Sequence, residues 1–174
     1  MSWITKQAFI LTGGTTVFRE IRRVKQILSQ EECICLLKDE RRGVLSVLGD
    51  DDYPYGMPLN HYYNEEDGKL YFHSSTKGHR PEAYRRHDKA SFCVCDKGIQ
   101  QEDEWFLRIR SVIVFGRIEI IEDREKTYEI ARRLSYKFTK DEEYIESEIQ
   151  KSGPGTLLFA LKPEHMTGKL VKES

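Results

Sequence analysis

Three basic side chains, Lys77, His79 and Arg80, follow directly on the hydroxyls Ser74, Ser75 and Thr76, and Pro81 comes immediately after them. Pro is favoured in the first turn of a helix, where its missing N–H would be unpaired in any case. The start of a helix carries free backbone N–H groups and the positive end of the helix dipole. Hydroxyl donors and cations beside it make a place for a phosphate. Arg80 can hold such a group through two parallel hydrogen bonds, with Lys77 and His79 adding charge and Ser74 and Ser75 donating. The same spacing also suits an ordinary basic loop closing a strand. His73 stands next to this corner, with an imidazole able to act as acid, base or ring contact; on the residues alone a purely structural, hydrogen-bonded histidine is the plainer reading. Tyr53, Tyr55, Tyr62, Tyr63 and Tyr71 crowd one segment. They suit stacking on a planar ring or a nucleobase, or plain strand packing.

The elements that must position these groups follow from periodicity and turn residues. Lys69 to His73 reads as a strand entering the corner. Tyr55 to Tyr63 reads as the strand before it, joined to it by Asp67-Gly68 as a hairpin signal. Pro54 and Pro58 leave one edge of that earlier strand without full pairing. The segment from Pro81 to His87 reads as a helix beginning at the proline. Upstream, Ser29 and Glu32 form a capping box opening a helix with Cys33, Leu36 and Leu37 as its apolar stripe, and Arg41-Arg42 suit its end. Val44 to Leu48 and Ala90 to Cys95 are short strands. Trp105 to Ile121 is a long β-rich run in which Gly116 suits a bulge. Asp123 caps a helix reaching Phe138, and a second, acidic helix covers 141–151 until Gly153-Pro154-Gly155. Thr156 to Leu161 is the last strand. Short strands at hairpin spacing with helices between them predict a mainly β fold, a closed β-barrel with peripheral helices.

Composition narrows the function. The 174 residues suit one domain spanning 1–174, with an irregular segment over 1–16. Basic and acidic residues number 28 and 29, a net charge of -1, which lacks the broad positive footprint of a general nucleic-acid binder. No apolar run reaches the length of a membrane span. The opening residues MSWITKQAFILTGG lack the basic lead and apolar core of a signal peptide, so the expected location is cytoplasmic. Cys33, Cys35, Cys93 and Cys95 are not spaced as zinc pairs and read as buried, reduced thiols; no metal site is expected. No Walker A or G-x-G-x-x-G signature is present.

The run PYGMPLNHYY…DGKLYFHSSTKGHRPEAYRRH, followed by ASFCVCD, by RSVIVFGRIEIIED and by the closing Thr167-Gly168-Lys169, resembles the FMN-binding split-barrel flavoproteins. More narrowly it is similar to their nitroimidazole-resistance branch, related to pyridoxamine-phosphate oxidase. The resemblance covers residues 17–170. It implies a six-stranded Greek-key split barrel, a homodimer with FMN at each subunit interface, and a small-molecule substrate. Carried over by position, Met57, Pro58, Leu59 and Asn60 would meet the flavin ring edge, largely through backbone. Phe72, His73 and Ser74 would line the ring and ribityl region, and Lys77, His79 and Arg80 would hold the phosphate. Ser111 would make a polar ring contact, and His73 would face the substrate. Where many relatives carry Arg-Lys in the phosphate loop, this chain has His79-Arg80, so a titratable charge replaces a permanent one. The implied activity is electron or hydride transfer from reduced flavin to a nitro-heterocycle or similar planar electrophile. Pyridoxamine-phosphate oxidation fits less well, because that enzyme's substrate-phosphate residues are not found near the C-terminus. A non-catalytic flavin or haem binder on the same barrel is the alternative, and a single-strand nucleic-acid barrel is a more distant one.

Overall fold

The computed structural model describes residues 18–173; the irregular segment expected over 1–16 lies outside them. Helix α1 (Gln30–Asp39) starts as its capping box requires. The Ser29 hydroxyl accepts the Glu32 N–H at 3.1 Å, and the Glu32 carboxylate accepts the Ser29 N–H at 2.7 Å. Then come β1 (Arg42–Leu48), β2 (Pro54–Asn60), β3 (Tyr62–Asn64), β4 (Lys69–Ser75), α2 (His79–Arg86), β5 (Lys89–Cys95), the two-residue β6 (Ile99–Gln100) and β7 (Leu107–Ile121). Two helices, α3 (Arg124–Ser135) and α4 (Glu142–Ser152), lead to β8 (Thr156–Glu173). Six of the strands are long; β3 and β6 are short additions to them.

All strands pair antiparallel in one sheet of order β2-β1-β5-β7-β8-β4-β3, with β6 beside β7. The sheet curls, but the path ends at β2 and β3, and no hydrogen bonds close it among the described residues. The barrel expected to be closed is therefore split, with an unpaired edge of β2 facing the gap, as its prolines require. β7 pairs along its whole length with β8 from Leu158 onward, with one extra residue, Glu164, opposite the Phe115–Gly116 step. Gly116 is needed there: a Cβ on it would lie 2.1 Å from the Lys162 carbonyl oxygen.

Alternation sorts the side chains into two cores. Leu45, Met57, Phe92, Val112 and Phe72 face the barrel interior, where Leu36, Leu37 and Cys33 of α1 also pack. On β4 and β8 the alternate residues Tyr71, Leu158 and Ala160 face the other way and form a smaller core with Ile130 of α3. Alternation also corrects the expectation about cysteines. Phe92 and Val94 occupy the inward positions of β5, so Cys93 and Cys95 are exposed, as is Cys35; Cys33 alone is buried.

The stretch from Tyr55 to Tyr63 is two strands, not one. β2 pairs with β1, while β3 pairs with β4 at the opposite end of the sheet. The chain crosses the split at His61, which is fully buried (0% exposed) with its Nε2 donating to the Leu37 carbonyl at 2.7 Å. Lys137, just past α3, donates to the carbonyls of Leu37, Glu40 and His61 at 3.3, 2.6 and 3.3 Å. Carbonyls of the last turn of α1, which lack partners within a helix, are thereby satisfied. No helix among the described residues is long and apolar enough to cross a membrane.

Candidate functional site

The split is where the candidate residues collect. A cavity of about 430 Å³ runs along it, walled by Arg42, Pro58, Leu59 and Asn60 on one side and by His73, Ser74, Ser75 and Arg80 on the other; Gly155 and Thr156 complete the wall. A second cavity of about 230 Å³ continues past Arg80, lined by Tyr55, Lys77 and His79 together with Ser74 and Ser75. Pairing places the ends: Arg42 lies opposite Asn60, and Leu48 opposite Pro54, along the β1–β2 ribbon. Six residues of strand separate those pairs, about 20 Å. His79 sits near the Pro54 end, its ring stacked on Tyr55 with centroids 4.3 Å apart. The groove thus has an Arg42–Asn60 end and a Lys77–His79 end, with Arg80 between.

The corner after β4 gathers donors and cations at a helix start. Gly78 has φ of 107°, a conformation glycine adopts without strain, and it is the N-cap of α2. No side chain caps that terminus among the described residues, so the His79 and Arg80 N–H groups remain available. Pro81 is the third residue of this helix, not the first as the sequence suggested, and its missing N–H removes the next donor. The Lys77 N–H is 3.3 Å from the Ser75 hydroxyl oxygen, leaving that hydroxyl proton free to be donated.

Ion pairing distinguishes the groove's cations from several arginines elsewhere on the surface. Arg86 is paired with Asp50 at 2.6 Å, and Arg117 with both Asp88 and Glu164. Arg42, Lys77 and Arg80 form no ion pair among the described residues. His79 is partly engaged, with Nε2 3.3 Å from the Asp50 carboxylate. Arg42 Nε donates to Asn60 Oδ1 at 3.1 Å, so the amide NH₂ is what Asn60 offers the groove. His73 opens into the groove, yet the protein atoms around it displace water enough to lower its pKa, keeping the imidazole neutral near pH 7.

Of the residues singled out from the sequence, Pro58, Leu59, Asn60, His73, Ser74 and Arg80 line the larger cavity, and Lys77 and His79 the smaller. Met57 and Phe72 send their side chains into the core, 2% and 1% exposed, and could meet a ligand only through backbone. Ser111 lies on β7, paired with Cys95 and Lys169 and three strands from Asn60, outside both cavities. The tyrosines do not form one stacking surface: Tyr71 is buried, Tyr55 covers His79 and Tyr53 is 75% exposed. Arg42 and Thr156 were missed, while Ser75, read from the sequence as a hydroxyl donor, lines both cavities. Arg42 reads as a helix-terminal cation in the sequence, and its partner Asn60 is known only from strand register.

A sequence profile of the pyridoxamine 5'-phosphate oxidase family matches residues 29–170. The chain belongs to that family. No curated protein matches it significantly in sequence. Among solved structures, it is similar to a candidate 5-nitroimidazole antibiotic resistance protein from Bacteroides thetaiotaomicron: TM-score 0.72, 21% identity, 84% of this chain and 87% of that one covered. A FAD-binding protein from Mesorhizobium loti aligns with TM-score 0.60 and 23% identity over 84% of this chain and 97% of its own. A FAD and haem binding protein from Mycobacterium smegmatis aligns with TM-score 0.66 and 22% identity, covering 84% and 73%. At these identities the likeness establishes the shared split-barrel fold.

Proposed function

We propose that the protein is an FMN-binding oxidoreductase that passes electrons from reduced flavin to a small planar electrophile of the nitro-heterocycle kind. The observation that carries this reading is the set of unpaired cations in the split: Arg80 and Lys77 beside an uncapped helix start, with Arg42 at the other end. The donor set fits the group, since the Arg80 corner offers a dianion two permanent charges, two backbone N–H groups and the Ser75 hydroxyl, the Ser74 hydroxyl being spent on the Ser75 carbonyl at 3.0 Å. The ring system would then lie toward Pro58, Asn60 and Arg42. Two of the similar structures are FAD-binding, which favours a flavin of some kind; the single phosphate corner favours FMN.

Bound flavin supplies reversible two-electron chemistry, and a nitro group that takes up two electrons and two protons becomes a nitroso group plus water. This chain's part is to bind, orient and manage protons. The neutral His73 imidazole stands at the groove wall, where its one N–H can donate a hydrogen bond to a substrate oxygen.

The partner in this reading is a second copy of the chain. On the outer face of the sheet, Val44, Cys93 and Ile113 lie side by side in register with Pro58, and Phe115 sits one step along; Val44, Ile113 and Phe115 are 41%, 38% and 36% exposed. This apolar row is continuous with the groove wall at Pro58. A second copy covering it would bring its own Ser111 face toward the flavin.

One observation favours a second reading, a flavin or haem carrier without turnover: a neutral, accessible histidine such as His73 is also a haem ligand. Purified protein titrated with FMN, FAD and haem tests both, with absorbance identifying the ligand. FMN is expected to bind, and Arg80→Ala to weaken it about ten- to a hundredfold, one charge-assisted contact of about 1.5–3 kcal/mol. Failure to bind FMN, or an Arg80→Ala variant of undiminished affinity, overturns the assignment. Reduction of a nitroaromatic by the FMN-loaded protein separates enzyme from carrier.

A further inference from the structure

Behind His73, on the side away from the barrel core, a cleft of about 240 Å³ opens between α3 and α4. His73 and Thr156 line both this cleft and the flavin groove, so the two spaces meet across one imidazole and one hydroxyl. This follows from the alternation of β4: Phe72 points into the barrel, and Tyr71 and His73 point toward α3.

The two spaces are lined by opposite charge. Arg42 and Arg80 line the groove. Among the described residues, the one permanent charge lining the cleft is the Glu148 carboxylate. Arg124 at the start of α3 is already engaged. It donates to the carbonyls of Gly153, Pro154 and Thr156 at 3.1, 2.9 and 3.2 Å and lies over the Tyr128 ring. Lys151 approaches Glu148 at 3.6 Å, but both side chains are exposed, and such pairs neutralise little. The rest of the lining is amphipathic: Ala131, Leu134 and Ile149 give an apolar wall, and Ser135 and Tyr128 add hydroxyls.

We propose that the cleft between α3 and α4 is a second small-molecule site, taking a neutral or cationic single-ring organic molecule and rejecting anions. The groove would hold the anionic ligand and the cleft its uncharged or positive counterpart, in contact with the opposite side of His73. That the occupant is the electron-accepting substrate rests on the flavin reading above; its binding does not.

The test uses three nitrobenzenes of one shape, 4-nitrobenzylamine as the ammonium, 4-nitrobenzyl alcohol and 4-nitrobenzoate, titrated by calorimetry at pH 7 into the full chain with and without FMN. The ammonium and the alcohol bind, and the benzoate binds roughly five- to tenfold more weakly than the ammonium, the effect of one partly exposed charge acting in both directions. Glu148→Gln brings ammonium and benzoate to within about twofold of each other and leaves the alcohol unchanged. Ala131→Trp, which fills the cleft from a half-buried position, removes binding of all three while FMN affinity stays. Equal binding of benzoate and ammonium, a charge preference indifferent to Glu148→Gln, or a folded Ala131→Trp variant that still binds the series overturns the proposal. Should Ala131→Trp fail to fold, Glu148→Gln decides alone. A chain that ignores FMN yet sorts the nitrobenzenes as described refutes the flavin reading and leaves this one standing.

Discussion

The groove in the split and the junction around His61 both gather basic side chains, and they treat them in opposite ways. At the junction, Lys137 spends its donors on three carbonyls, and His61 donates to one of them while its ring packs against Phe92. Those groups hold together α1, the crossing between β2 and β3, and the turn after α3. In the groove, Arg42, Lys77 and Arg80 have no carboxylate partner among the described residues and line open space. A buried base with every donor used is part of the fold. Solvated cations left unpaired around a cavity, in a chain whose net charge is only -1, suit a negative ligand, which is the reading proposed above.

The sharpest way to break this contrast is Lys137→Met. It removes the Lys137 donor from three carbonyls at once; Leu37 keeps its bond from His61, while Glu40, the cap of α1, and His61 lose this partner. Leaving such groups unsatisfied costs about 1–3 kcal/mol apiece where they are buried, so a loss of about 3 kcal/mol in urea denaturation is expected, with FMN affinity unchanged. A loss of FMN binding as large as that of Arg80→Ala would mean that junction and groove are one unit.

His61 gives a pH signature of similar origin. Burial, with the nearby Lys137 charge, pushes its pKa down from 6.5 to about 3. The unfolded chain therefore takes up a proton below about pH 6.5 that the folded chain refuses. Stability is at its full value above that pH and falls toward pH 3, by at most about 1.4 kcal/mol per unit for one proton. Between pH 6.5 and 4.5, above the range of the depressed carboxylates, a His61→Leu variant should show a flatter stability curve than the parent in urea titrations, whatever its stability at neutral pH. A parallel pair of curves would show that His61 is not the buried neutral group described.

What was legible in the sequence was whatever is encoded locally. The Ser29–Glu32 box, the Asp123 cap and the bulge at Gly116 each depend on residues a few positions apart, and all are present; the second helix starts one residue later than read, with Asp141 as its cap. The strand-to-helix corner that gathers Lys77, His79 and Arg80 was legible for the same reason, since Ser74 to Arg80 is one short segment. Long-range partners were not. Nothing in the run Asn60-His61-Tyr62 says that its two sides pair at opposite ends of the sheet, because both sides have strand propensity. Cys93 and Cys95 were expected inside because alternation fixes which residues share a face but not which face is inward; Phe92 and Val94 decide that. Arg42 and Thr156 reach the groove only because β1 and β8 bring them there.

Arg42 and Arg80 sharpen the contrast within the groove itself, because they stand at different stations along it. Arg80 lies at the anion corner and should govern affinity. Arg42, bonded to the Asn60 amide oxygen, turns the amide NH₂ toward the proposed ring and adds its own charge there. Reduced flavin carries more negative charge on its ring than oxidised flavin, so donors at that end favour the reduced form. Arg42→Met should lower the midpoint potential of the bound flavin by about 30 mV, about 1.4 kcal/mol for two electrons, while FMN affinity falls by less than about tenfold. Arg42→Lys should keep the charge but lose the planar hold on Asn60, giving an intermediate potential. Spectroelectrochemistry on the three proteins decides. An unchanged potential would place the ring elsewhere, and an affinity loss matching that of Arg80→Ala would make Arg42 a second phosphate ligand and reverse the direction in which the cofactor lies along the split.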